Sequence, residues 1–499
     1  MRAASRCAQL STRSTLWAIG RRPHSVTRSC HSGKLACATS HKIQIAQPSP
    51  LPLQRLHRAL VLMASCQPFG THVDRTGTYA RKLQGRGGEY IGKDVVPLWI
   101  ADMDFEAPAP IVEAMVIRAK HGVYGYSDPP PELAELTAAR LHTVYGCKSA
   151  DTSWIRWQPG LACGLTHAVR ACCASSSDLV AVATPIYPPF LSLVEVGGAT
   201  VLPVPLAEAR DGEAKLRYEI DWVAMESALS KPETKLLLWC NPHNPTGRCW
   251  SASDMRRLSQ MCVTHDVTLC SDEVWGELVL TPDRAPFCSG LSLLAACNHG
   301  DGANTAAEST PSSGAASYEA DQSAGTSVRG LAERLIVLSS PSKAFNVASL
   351  DLAFAVIPDA QLRKRFIAVG RDQAEIPPFG IVAAIAAYGD ARCEEWRQQL
   401  VEYINGNYEH AAAVLSQVEG VRLTRPEASY LVWMDVRDAL PPSARDSDAA
   451  AFLVDAGVGL SGGKAFGVAG TGYVRMNLAS PRDTLSLGLQ RIVAALSNP

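Results

Sequence analysis

Between Leu179 and Ser339 the chain repeats one pattern, a short apolar run followed by a segment long enough for a helix. Candidate strands are Leu179–Ala183, Thr200–Val204, Leu236–Cys240, Thr268–Ser271 and Leu335–Ser339. Helix-length segments lie around them, Leu161–Cys173 and Ser251–Thr264 among them, the second opening on the N-cap-rich Ser251-Ala252-Ser253-Asp254. A chain ordered in this way satisfies its strand edges in one open, mostly parallel sheet with helices on its faces. Ligands of such sheets bind beyond the carboxyl ends of the strands, so residues directly after the apolar runs carry the most functional weight.

The composition agrees with a large folded protein: of 499 residues, 47% are hydrophobic and 19% charged. No apolar run approaches the about 18 to 20 residues of a membrane span, so no membrane partner is expected. The first acidic residue is Asp74, and eight arginines and two lysines precede it. Setting those ten aside leaves 37 of the 47 basic residues against 48 acidic ones. An acidic body has no electrostatic footprint for nucleic acid. The acid-free, Arg- and Ser-rich stretch over residues 1–68 reads as a transit peptide for plastid or mitochondrion, while translation from Met63 would give a cytosolic form. Fifteen cysteines are an odd number without a Cys-x-x-Cys pair, which reads as reduced, buried thiols and supports neither a disulfide framework nor a metal site.

Residues 298–328 turn to Gly, Ala, Ser and Thr and read as an exposed insertion. From about Ile381 helical patterns precede two alternating strands, Tyr430–Val436 and Gly472–Asn477, suggesting a smaller α+β domain. The expected division is a leader over 1–68, an arm and first part of the small domain over 69–122, a large domain over 123–380, and the rest of the small domain over 381–499.

Three strand ends carry chemistry. Ser340-Pro341-Ser342-Lys343-Ala344-Phe345-Asn346 follows Leu335–Ser339, and a lysine there can form a Schiff base while the serines bond an anion. Cys240-Asn241-Pro242-His243-Asn244-Pro245 ends another strand in a rigid turn that can aim the Asn244 amide into the crevice. Ser271-Asp272-Glu273 puts a carboxylate at the same edge. Each taken singly is a surface lysine, a turn or a strand cap. Together they supply what pyridoxal 5′-phosphate needs, an amine for its aldehyde, a partner for its ring hydroxyl and an acid for its pyridine nitrogen.

With these motifs the chain from about Asp74 onward resembles the fold-type I pyridoxal-phosphate enzymes of the class I/II aminotransferase family, and within it the MalY/PatB-like cystathionine β-lyase (C–S lyase) branch. The resemblance implies a mixed, mostly parallel seven-stranded sheet flanked by helices, with a smaller α+β domain built from N- and C-terminal segments. It implies that Lys343 holds the cofactor and moves the substrate Cα proton. Asp272 would pair with the pyridine nitrogen, Asn244 with the ring oxygen and substrate, and Tyr187 would stack on the ring. Gly160, Leu161 and Ala162 open a helix whose N-terminus would cradle the phosphate together with Ser340 and Ser342. Tyr126 would reach the cofactor of a second subunit, making a homodimer. Arg475 would fork onto the substrate carboxylate, with Ala101 also at the substrate. Trp99–Phe105, Gly370-Arg371-Asp372 and Glu427–Asp435 favour the lyase branch by resemblance alone.

The implied activity is β-elimination on a cysteine S-conjugate such as cystathionine, giving a thiol, pyruvate and ammonia. An aminotransferase is the close alternative, since it begins with loss of the same proton, and a regulatory protein retaining the fold is a second. Two positions depart from the pattern. Asp351 stands where many aminotransferases carry an arginine for the phosphate, and Trp275 where the branch has a histidine. An acid beside a phosphate is repulsive, and an indole neither accepts nor titrates.

Overall fold

The structure, a computed structural model, describes residues 69–497 apart from 149, 211–214, 295–327, 372–373 and 445–447. The leader read over 1–68, and all but the last residue of the insertion read over 298–328, lie outside the described residues.

Seven strands form the main sheet, in the order Ile155–Gln158, Ala353–Val356, Leu335–Ser339, Thr268–Asp272, Thr234–Cys240, Leu179–Thr184 and Thr200–Pro205. Ala353–Val356 runs antiparallel to both of its neighbours, and the other pairs are parallel. The apolar run at residues 236–240 shows why both faces must be covered. Leu236, Leu238 and Cys240 pack with Leu165 and Val169 of the helix Leu161–Cys172, while Leu237 and Trp239 pack with Met255 and Leu258 of the helix Ala252–Thr264. Burying each of these larger side chains contributes about 1.5–3 kcal/mol, which favours a continuous apolar run over an alternating one. Ser251 and Asp254 close a reciprocal capping box at the start of the second helix, as the N-cap-rich tetrapeptide predicts.

A six-stranded sheet follows the order Ser461–Gly462, Tyr473–Asn477, Leu431–Asp435, Arg422–Thr424, Lys215–Glu219 and Ala207–Arg210. Its last two strands come from the middle of the chain, so the sequence boundary that assigns all of 123–380 to the large domain differs from the observed pairing. The cause is side-chain packing: Leu216 and Tyr218 alternate inward, and Trp433 Nε1 donates to the Tyr218 hydroxyl at 3.2 Å while its indole stacks on Tyr473. The N-terminal segment joins the same region, because Val96–Pro97 pairs in parallel with Val458–Gly459. Helices Ala391–Leu415 and Arg482–Ser497 bury Leu400, Ile404, Leu485 and Leu489 in a shared core beneath these strands. No described helix is long and apolar enough to cross a membrane.

Candidate active site

Parallel pairing of four central strands brings their carboxyl ends to one edge, and the sequence places a polar residue at each. Asp272 is the last residue of its strand rather than the first after it, one residue beyond the expected end. Asn244 and Lys343 follow the neighbouring strands within four residues, and Tyr187 follows Leu179–Thr184. Tyr187 N donates to Asn244 O at 3.0 Å, fixing one turn against the other.

Lys343 is partly buried, and Nζ donates to the carbonyl of Ala101 at 2.8 Å. Burial lowers its pKa to about 8; Asp102 and Asp272 act against that fall and Arg475 adds to it. An amine so poised is a competent nucleophile and base near neutral pH. Asp272 is buried and accepts from Val274 N at 3.1 Å. Burial raises its carboxyl to about 7, with the Val274 bond and the Lys343 charge pulling it down. It is an acid short of a cation. Its neighbour Glu273 faces away, held by Ser271, Ser289 and the amide of Gly290.

Arg475 is 4% exposed. Nη1 donates to Asn244 Oδ1 at 3.0 Å and Nη2 to the carbonyl of Trp99 at 3.0 Å, whereas Nε is buried with no partner among the described residues. Burial lowers this guanidinium to about 10, and Tyr187 and Tyr430 act in the other direction. A buried guanidinium bonded to neutral groups, with one donor unused, suits an incoming carboxylate.

The helix Leu161–Cys172 starts at Gly160 with φ 91° and has no side-chain cap, leaving first-turn amides available for an anion. Ser342, partly buried, lies two residues past Ser340 in the same turn. The Ser340 hydroxyl itself donates to Leu352 O at 2.7 Å and accepts from Ser342 N at 3.1 Å, so in this arrangement its proton holds the turn. Tyr126 is 94% exposed and makes no contact with these groups.

The loop Trp99–Phe105, which has no chemical reading in the sequence, is the anchor of the site. Its carbonyls receive Arg475 at Trp99, Asn477 at Ile100, and both Lys343 and Tyr430 at Ala101, the last at 3.1 Å. Asn346 pins the same loop through Met103 N, Met103 O and Phe105 O. Arg75 and the fully buried Lys82 clamp it from the N-terminal side by ion pairs to Asp102 and Asp104. Sequence reasoning missed Asn346, Asn477 and Lys82 as positioning residues. Trp275, the departure noted above, is buried edge-to-face against Tyr430 at 4.9 Å, with Lys343 Nζ 5.8 Å from its ring centre.

The residue set fits pyridoxal 5′-phosphate: an amine, an unpaired acid and an uncapped helix converge at one sheet edge. Residues 93–492 match the model of the family described as aminotransferase class I and II, and the chain belongs to that family. It is 32% identical to cystathionine beta-lyase PatB of Bacillus subtilis over 434 residues, covering 86% of this chain and 100% of that one. It is 27% identical to protein MalY of Escherichia coli over 439 residues, covering 86% and 98%. Among solved structures, the PLP-bound C-S lyase from Staphylococcus hominis superposes with a TM-score of 0.72 at 26% identity, covering 86% of this chain and 99% of that one.

Proposed function

We propose that the protein is a pyridoxal 5′-phosphate-dependent carbon–sulfur lyase that converts an L-cysteine S-conjugate, such as cystathionine, and one water to a thiol, pyruvate and ammonia. The carrying observation is Arg475, a buried guanidinium with an unused donor beside Asn244 and the Lys343 amine. When bound, the cofactor supplies a conjugated ring that takes up the electron pair left at the substrate Cα.

The chain's own residues do the rest. Lys343 Nζ would hold the cofactor through its aldehyde, and the same amine, when free, would be the base for the substrate's Cα proton. Its lowered basicity keeps a useful fraction of it neutral near pH 7 to 8. Asp272 would hold a proton on the pyridine nitrogen by offering the negative charge that burial otherwise opposes. Arg475 fixes the substrate carboxylate, which limits rotation about the Cα and holds its C–H bond toward Lys343. Trp275 and Tyr430 supply an aromatic wall next to the lysine. The carbonyl of Ala101 holds Nζ between its two tasks.

The relative named cystathionine beta-lyase and the similar PLP-bound C-S lyase structure favour β-elimination over transamination. The lysine is tested by adding pyridoxal 5′-phosphate, fixing with borohydride and mapping the labelled peptide. A visible absorbance band that borohydride removes, with label on Lys343, is expected; a protein that stays colourless overturns the reading. The working unit is a homodimer in which Tyr126 reaches the other subunit's cofactor. The exposure of Tyr126, Val123 and Ile117 supports it, and a monomeric holoenzyme in sedimentation would contradict it. The leader directs the chain to plastid or mitochondrion, a reading supported by its charge pattern and checked by where a fluorescent fusion collects.

A further inference from the structure

The antiparallel strand Ala353–Val356 begins where the parallel strands end, so the residues just before it lie at the ligand edge of the sheet. Ala353 pairs with Gln158. Two residues beyond that pair on either side stand Asp351 and Gly160, and they face one another. A Cβ placed on Gly160 would lie 3.5 Å from Asp351 Oδ1. Gly160 is the residue that opens the uncapped helix proposed to cradle the phosphate.

Asp351 is exposed and adopts left-handed backbone angles, φ 44° and ψ 47°. Its carboxylate makes no hydrogen bond or ion pair among the described residues. An uncommitted carboxylate ordinarily turns to solvent or caps a helix. Here it sits against the start of the helix Leu161–Cys172, which no side chain caps. The thiol of Cys163, in the first turn of that helix, feels it: burial raises the thiol's pKa first, and Asp351 raises it further. The field at this helix end therefore combines a partial positive charge from the backbone with a full negative charge from a side chain. The Ser340 proton, engaged with Leu352 O, adds no compensating donor.

We propose that Asp351 opposes the cofactor's phosphate, so that this chain binds pyridoxal 5′-phosphate more weakly than its helix-end cradle alone would allow and exchanges it more readily. The inference rests on the function proposed above. A unit charge near a phosphate dianion at a solvent-exposed site weakens binding on the order of tenfold, and added salt reduces the effect.

The test is a titration of cofactor-free protein with pyridoxal 5′-phosphate and, separately, with pyridoxal, which lacks the phosphate. Asp351→Asn keeps the size and tolerates left-handed angles; Asp351→Gly serves as a second variant that the backbone accepts equally. Both variants are expected to lower the Kd for pyridoxal 5′-phosphate about tenfold at low salt, less at high salt, and to leave the Kd for pyridoxal unchanged. An unchanged Kd, or an equal change for both aldehydes, would overturn the proposal. So would weaker binding in the variants, because it would make the carboxylate a support of the cradle. If the parent protein gives no visible band with either aldehyde, the proposed function has failed, an outcome distinct from failure of the Asp351 inference.

Discussion

Replacing Asp272 by Asn separates the cost of burying an acid from its use. In the protein without cofactor, burial raises the Asp272 carboxyl from 3.8 to about 7, which means that the fold favours the protonated form. At low pH the group is neutral in both folded and unfolded chains and costs nothing. As pH rises past the unfolded value, the unfolded chain ionises first and gains free energy that the fold does not share. With these two values the penalty is about 2 kcal/mol at pH 5 and about 4 kcal/mol at pH 8. Asn has no proton to lose, and its side-chain oxygen can still accept from Val274 N. Asp272→Asn should therefore stabilise the cofactor-free protein at pH 8, by about 2 kcal/mol more than at pH 5, as read from urea midpoints at the two values. With cofactor bound, the same variant should lose most of its activity and bind the cofactor less tightly, since the pyridine nitrogen loses its counter-charge. An equal effect at both pH values, or a cofactor-free variant less stable at pH 8, would refute the reasoning.

Two further substitutions probe the anchoring loop and the substrate cation. Lys82→Met keeps the buried stem but strips Asp104 of its 2.7 Å partner, and should cost about 3 kcal/mol in urea unfolding, near the low end for a broken buried pair because Arg75 remains; a loss under about 1 kcal/mol would show that Arg75 alone holds the loop. Arg475→Lys replaces a fork by a point charge and leaves Asn244 Oδ1 or the Trp99 carbonyl without its donor; KM should rise at least about tenfold while the cofactor Kd stays constant, and an unchanged KM would remove Arg475 from the substrate's carboxylate.

The sheet was legible in the sequence because its inner strands are buried on both faces and therefore read as unbroken apolar runs. The residues at its edge were legible because parallel strands deliver whatever follows them to one place: Lys343, Asn244 and Asp272 needed only that rule and the chemistry of their side chains. The strands at residues 207–219 were not legible as members of the C-terminal sheet. What recruits them is packing of Leu216 and Tyr218 against Trp433, from a segment more than 200 residues later. The loop Trp99–Phe105 was invisible for a different reason. It works through backbone carbonyls, which every residue possesses, and only its partners Asn346, Asn477 and Arg475 mark it as the scaffold of the site. The role proposed for Tyr126 involves a second subunit, a contact that one chain does not contain.

The central claim is that the Cα proton taken by Lys343 leads to loss of a thiol from Cβ. The direct measurement is to incubate the purified protein, saturated with pyridoxal 5′-phosphate, with L-cystathionine and follow thiol and pyruvate, with and without a 2-oxo acid. Equal amounts of both products without the 2-oxo acid, absent in Lys343→Ala, are predicted. Turnover that requires the 2-oxo acid and yields a new amino acid would contradict the account and make the protein an aminotransferase.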